Sequence, residues 1–168
     1  MNLILIGYRG TGKSTVAKIL SERFQARLIS TDEFIITKAG MHIPEIVESK
    51  GWDYFREFES GVIKEISKED DCIIDAGGGV VLREENIKNL KKNAKIVLLK
   101  ADVKIIAERI KDDTKRPSLT GEKSFIDEIN EVLNERKPLY EKAADFSVDT
   151  SNLTPEEVAL KIIGYLRK

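Results

Sequence analysis

Apolar residues fall along the chain in short unbroken runs, separated by longer stretches in which they recur every three or four positions. The first run, Leu3-Ile4-Leu5-Ile6, contains no polar residue, the pattern of a strand covered on both faces. From Thr15 the pattern changes to Val16, Ile19, Leu20 and Phe24 with charges between, which predicts a helix to about residue 25. A short strand over 27–30 follows. From Asp32 to about residue 68 only helical patterns occur: 33–39, a break at Gly40, 44–50, then 52–67 with Phe55, Phe58, Val62 and Ile66 at helical spacing. Alternation then resumes with a strand at Cys72-Ile73-Ile74, a helix over about 84–91, a strand over 96–99 and a helix over 103–110. A long helix over 125–143, a strand over 146–148 and a terminal helix over 155–166 complete the pattern. Short apolar strands alternating with helices predict a three-layer α/β/α fold, a five-stranded parallel sheet joined by right-handed crossovers.

Length and charge narrow the function classes. The 168 residues suit one domain, in which the helices over about 32–67 form an inserted lobe. With 28 basic and 29 acidic residues the net charge is −1, so no global field favours nucleic acid or an anionic membrane. Cys72 is the only cysteine, which excludes a disulfide framework and a thiolate metal cluster and suits a core position. No basic leader precedes the first apolar run, which is far shorter than the ~20 residues of a membrane span. A cytoplasmic monomer acting on small molecules is the expectation.

The chemistry begins between the first strand and the first helix, at Gly7-Tyr8-Arg9-Gly10-Thr11-Gly12-Lys13-Ser14. Gly, four residues, Gly, Lys and Ser is the spacing of a phosphate-binding loop, in which backbone N–H groups and a helix N-terminus surround a phosphate. Lys13 brings a mobile charge to the β- and γ-phosphates, and the Ser14 hydroxyl can serve Mg²⁺. Asp32 and the turn Asp75-Ala76-Gly77-Gly78-Gly79 follow other strands, so they share the carboxyl edge of the sheet with the loop, where open parallel sheets bind ligands. Residues 111–123 form a polar, breaker-containing stretch with Arg116-Pro117, the composition of a flap. Arg56 and Arg136 read from pattern alone as solvated helix charges. His42 reads as a surface-loop residue between lobe helices, away from the strand ends, and Trp52 and Tyr54 as lobe packing.

The loop, Asp32, Phe55-Arg56 with Glu59, the triple glycine, Arg116-Pro117, and Arg136 with Pro138-Leu139-Tyr140 occur in the order and spacing of shikimate kinase, and the chain resembles that family over nearly its whole length. The resemblance implies a nucleoside monophosphate kinase-like fold with sheet order 2-3-1-4-5, a substrate lobe over about 32–67 and a lid over about 111–123. It implies transfer of the γ-phosphoryl group of ATP to the 3-hydroxyl of shikimate, with Mg²⁺, in chorismate and aromatic amino acid biosynthesis. Lys13, Asp32 and Arg116 then carry the chemistry. Gly10, Thr11, Gly12, Lys13, Ser14, Thr15, Arg109, Arg116 and Pro155 hold ATP; Asp32, Arg56, Gly77, Gly78, Gly79 and Arg136 hold shikimate, with Glu59 orienting Arg56. Rival readings are a kinase of another polyol acid such as gluconate, a nucleoside monophosphate kinase, and a non-catalytic nucleotide-binding regulator. Asp112 and Asp113 offset the lid cations a second nucleotide would need, and the presence of Asp32, Arg56 and Arg136 counts against a silent regulator. One departure stands out. The family usually carries Asp-x-Asp after the second strand and often Ser two residues before the triple glycine, whereas this chain has Ser30 and Asp75. The expected Mg²⁺ holders are therefore Ser14 and Asp75.

Overall fold

The computed structural model describes residues 1–112 and 124–168. Most of the expected lid, with Arg116, lies outside them. Along the described residues the elements run β1 (Asn2–Ile6), α1 (Lys13–Phe24), β2 (Arg27–Ser30), α2 (Thr31–Ala39), α3 (Ile43–Ile66), β3 (Cys72–Asp75), a 3-10 turn (Val80–Leu82), α4 (Glu84–Lys91), β4 (Ala94–Lys100), α5 (Val103–Ile110), α6 (Phe125–Ala143), β5 (Phe146–Asp149) and α7 (Pro155–Leu166). The strands form one parallel sheet of order β2-β3-β1-β4-β5.

The pure apolar composition of β1 follows from its place in the middle of that sheet, between β3 and β4. Successive side chains point to opposite faces, and both faces are covered. Ile4 and Ile6 pack with Ile74, Ile96 and Leu98 against Phe55, Val62, Ile63 and Ile66 of α3. Leu3 and Leu5 join Ile73, Val97, Leu99 and Val148 under Val16, Ala17 and Leu20 of α1 and Val158, Ala159 and Ile162 of α7. Cys72 is buried in the first of these clusters.

Differences from the sequence-based boundaries are local and have physical causes. β4 extends beyond the apolar 96–99, because Lys95 and Lys100 still pair with Leu3 and Asp149. The two helices expected over 44–50 and 52–67 run on as α3, kinked at Gly51, whose φ of 85° and ψ of 169° are non-helical. Pro44 stands in the first turn of α3, and the backbone N–H of His42 donates to Glu45 Oε2 at 2.7 Å, so the helix start is capped. No helix of the described residues is long and apolar enough to cross a membrane.

Candidate active site

β1 ends at Ile6 and hands the chain to the loop. Gly7 has a φ of 142°, and a Cβ there would collide with the carbonyl oxygen of Leu99, so this position has neither the backbone angle nor the room for another residue. The loop closes on itself: Thr11 Oγ1 donates to Tyr8 O at 2.8 Å, and Lys13 Nζ donates to Gly7 O at 2.9 Å and Tyr8 O at 3.1 Å. Arg109 of α5 ties it from outside, donating to Gly10 O and Thr150 Oγ1, each at 3.1 Å, while Thr150 donates to Thr11 O at 2.9 Å. Arg109 and the segment after β5 thus meet at the loop, and Pro155 is exposed in the first turn of α7.

Beside the loop opens a cleft of 670 Å³ lined by Arg9, Gly10, Gly12, Lys13, Ser14, Thr15, Asp32 and Asp75, with His42 at its edge. His42 is exposed there, so the expectation that it lies away from the strand ends is corrected: the start of α3 lines the same cleft as Asp32 and Asp75 through His42, Ile43 and Pro44. Ser14 Oγ donates to Asp75 Oδ2 at 2.5 Å, which brings the only two expected metal holders together. Ser30 lines the same cleft and accepts from the backbone of Glu33 as the N-cap of α2. Hydroxyl and carboxylate at one cleft wall suit Mg²⁺, which takes few protein oxygens and completes its shell with phosphate and water.

The three glycines are where the residues expected to hold the acceptor converge. A Cβ on Gly77 would lie 2.9 Å from Asp32 Oδ1 and 3.3 Å from Glu59 Oε2; one on Gly78 would lie 3.5 Å from Arg136 Nη1; one on Gly79 would fall within the Arg56 guanidinium. Four charged side chains from α2, α3 and α6 therefore press against a turn that has no side chains of its own. None of these three glycines has a positive φ, so space rather than backbone freedom explains them. Two groups that the pattern did not single out fix the turn: Gly77 N donates to the buried Thr31 Oγ1 at 2.8 Å, and Tyr140 Oη donates to Gly78 O at 2.6 Å. Thr31 sits next to Asp32, and that adjacency is its only signal in the sequence, whereas Tyr140 belongs to the stretch Arg136 with Pro138-Leu139-Tyr140 on which the family resemblance already rests.

Arg56 and Arg136 also line an adjoining cavity of 390 Å³ with Trp52 and Leu82. Nη1 of Arg56 donates to Glu59 Oε1 at 3.0 Å, and its guanidinium carbon lies 5.1 Å from the centre of the Trp52 ring. Trp52 also packs edge-on against Phe55, so it combines lobe packing with a cation contact to Arg56. Glu59 is 1% exposed, and burial pushes its carboxyl above the usual range while Arg56, then Arg136 and Arg83, pull it down. Burial also raises the Tyr140 hydroxyl, which keeps it a donor to Gly78. Glu59→Gln is expected to raise the acceptor KM about tenfold, the worth of one charge-assisted hydrogen bond, with the ATP KM within twofold. Initial rates over both substrates check this, and an unchanged acceptor KM would refute a role for Glu59 in orienting Arg56.

The family model for shikimate kinase matches residues 9–167. The chain belongs to the shikimate kinase family. Shikimate kinase of Thermodesulfovibrio yellowstonii is 46% identical over 162 residues, 96% of this chain and 92% of that one. The enzyme of Caldicellulosiruptor bescii is 44% identical over 164 residues, 97% of this chain and 94% of its own length. Among solved structures, shikimate kinase from Acinetobacter baumannii in complex with shikimate superposes with a TM-score of 0.93 at 30% identity, covering 98% of this chain and 92% of that chain. The sheet order implied by resemblance to shikimate kinases is the order found.

Proposed function

We propose that the chain transfers the γ-phosphoryl group of ATP to the 3-hydroxyl of shikimate, giving shikimate 3-phosphate and ADP for aromatic amino acid synthesis, as a cytoplasmic monomer. The convergence of Asp32, Glu59, Arg56 and Arg136 on the three glycines carries this reading, because it supplies one hydroxyl-orienting carboxylate and a two-arginine clamp for a small hydroxylated acid. The loop backbone and Lys13 hold the β- and γ-phosphates, with Arg109 and the 150–155 segment on the nucleotide side. Asp32 orients the attacking hydroxyl and takes its proton, and the bidentate forks of Arg56 and Arg136 fix the carboxylate so that the hydroxyl lies in line. Positioning and electrostatics supply most of the rate in such a transfer, since a loose transition state needs little early deprotonation. When bound, Mg²⁺ neutralises phosphate charge; Ser14 and Asp75 are the residues that would hold it.

A coupled ADP-release assay with ATP, Mg²⁺ and a panel of shikimate, quinate, gluconate and nucleoside monophosphates tests the assignment. Shikimate should be used in preference to every other member. Equal or faster ADP release with gluconate or a nucleotide would sink it.

A further inference from the structure

Arg9 stands third in the phosphate loop and lines the cleft together with Lys13, Ser14, Asp32 and Asp75. Its side chain is 17% exposed and lies over the Tyr8 ring, with its guanidinium carbon 5.9 Å from the ring centre. Across from it is Glu128, in the first turn of α6, whose Oε1 is 3.7 Å from Arg9 Nη2. That separation is close enough for charge attraction and too long for a hydrogen bond. Arg9 Nε is buried and has no hydrogen-bond partner among the described residues. A guanidinium with an orphaned donor, fixed in direction by a buried carboxylate at hydrogen-bond-breaking distance, is not a finished salt link. Its partly exposed side chain lines the cleft without a hydrogen bond to Glu128, and so is placed to meet an anion there.

The chemistry of the cleft indicates which anion. Three carboxylates, Asp32, Glu33 and Asp75, line it, while Lys13 is the only other loop cation. A phosphoryl group in transit spreads its charge over three oxygens, so a second cation of the loop can share that charge with Lys13. We propose that Arg9 contacts the phosphoryl group being transferred and the phosphate of the ester product, with Glu128 as the residue that positions it. This rests on the reading of the cleft as the place of phosphoryl transfer, and extends the loop's work from holding ATP to stabilising the group that leaves it.

The test uses the full chain and the variants Arg9→Met, Arg9→Lys and Glu128→Gln. ATP and ADP affinities are measured by calorimetry, kcat with shikimate, and melting temperature by thermal unfolding. Arg9→Met should lower kcat roughly 10- to 100-fold and cut the preference for ATP over ADP roughly tenfold, with ADP affinity within twofold of the parent. Arg9→Lys should keep part of the rate, because charge remains and the fork is lost. Glu128→Gln should lower kcat less than Arg9→Met and leave ADP affinity unchanged. An Arg9→Met chain with kcat and ATP preference within twofold of the parent overturns the proposal. So does an equal loss of ATP and ADP affinity in both Arg9 variants, which would make Arg9 a scaffold residue. If Arg9→Met fails to fold, a fall in kcat at constant ADP affinity in Arg9→Lys decides in favour, and an unchanged kcat decides against. Should the parent prefer another acceptor while Arg9→Met still loses its ATP preference, the substrate assignment fails and the Arg9 contact stands.

Discussion

Gly79→Ala is expected to raise the shikimate KM roughly a hundredfold while leaving ADP affinity within twofold. The added methyl would fall within the Arg56 guanidinium, so Arg56 must withdraw, leaving Glu59 and the face of Trp52. The backbone angle does not require glycine, since Gly79 has a φ of −89°, outside the left-handed region. The obstacle is the far end of a flexible side chain, so the fold should survive with a melting temperature near that of the parent. Gly7 gives the contrast, because there the obstacle is the Leu99 carbonyl, which cannot swing aside. Initial-rate kinetics and ADP titration of the Gly79 variant measure the effect, and a shikimate KM equal to the parent's would refute a role for Arg56 in acceptor binding.

Asp75→Ser should lower kcat roughly 10- to 100-fold and raise the Mg²⁺ concentration needed for half-maximal rate, and adding Ser30→Asp should restore part of the loss. The rescue follows from the sheet. Ser30 and Asp75 are register partners on β2 and β3, so their Cα atoms are neighbours across about 4.8 Å and a carboxylate can reach the same cleft wall from either strand. Ser30 is also the N-cap of α2, and aspartate caps a helix as well as serine does, so the second substitution spares the fold. In the parent the Ser14 hydroxyl already points at Asp75, at 2.5 Å. A Mg²⁺ titration of Asp75→Ser that overlays the parent's would end the idea that the metal carboxylate has moved.

The fold was legible because the chain's hydrophobic pattern changes sharply between element types. Leu3-Ile4-Leu5-Ile6, short and ended by Gly7, has the pattern of a doubly covered strand, and Val16, Ile19 and Leu20 have the spacing of one helix face. Boundaries were less legible, since Lys95 and Lys100 sit in a strand for its hydrogen bonds rather than its apolar face. The donor side of the site could be read from contiguous residues, for the loop needs one spacing in one stretch. The acceptor side could not be read from pattern alone. Arg56 and Arg136 lie eighty residues apart on helices where a charge is ordinary, and only the resemblance singled them out. Arg9 and Thr31 escaped notice for the opposite reason: they are embedded in motifs whose other members drew the attention, and what distinguishes them is a partner distant in sequence, Glu128 for one and Gly77 for the other.

Because β1 is the middle strand, the order in which the chain is synthesised runs against the order in which its site can close. β1 is synthesised before both of its partners and pairs with residues 73–75 on one side and 94–98 on the other, so both its edges are unpaired until β3 is made and one of them waits longer, for β4. Its apolar face and both its edges are exposed in the meantime, and long-range parallel pairing is intrinsically slow. A nascent chain stalled before β4 is therefore expected to be a better chaperone client than a phosphate binder. Nucleotide would begin to stabilise the fold only once Leu99 has arrived to back the loop at Gly7.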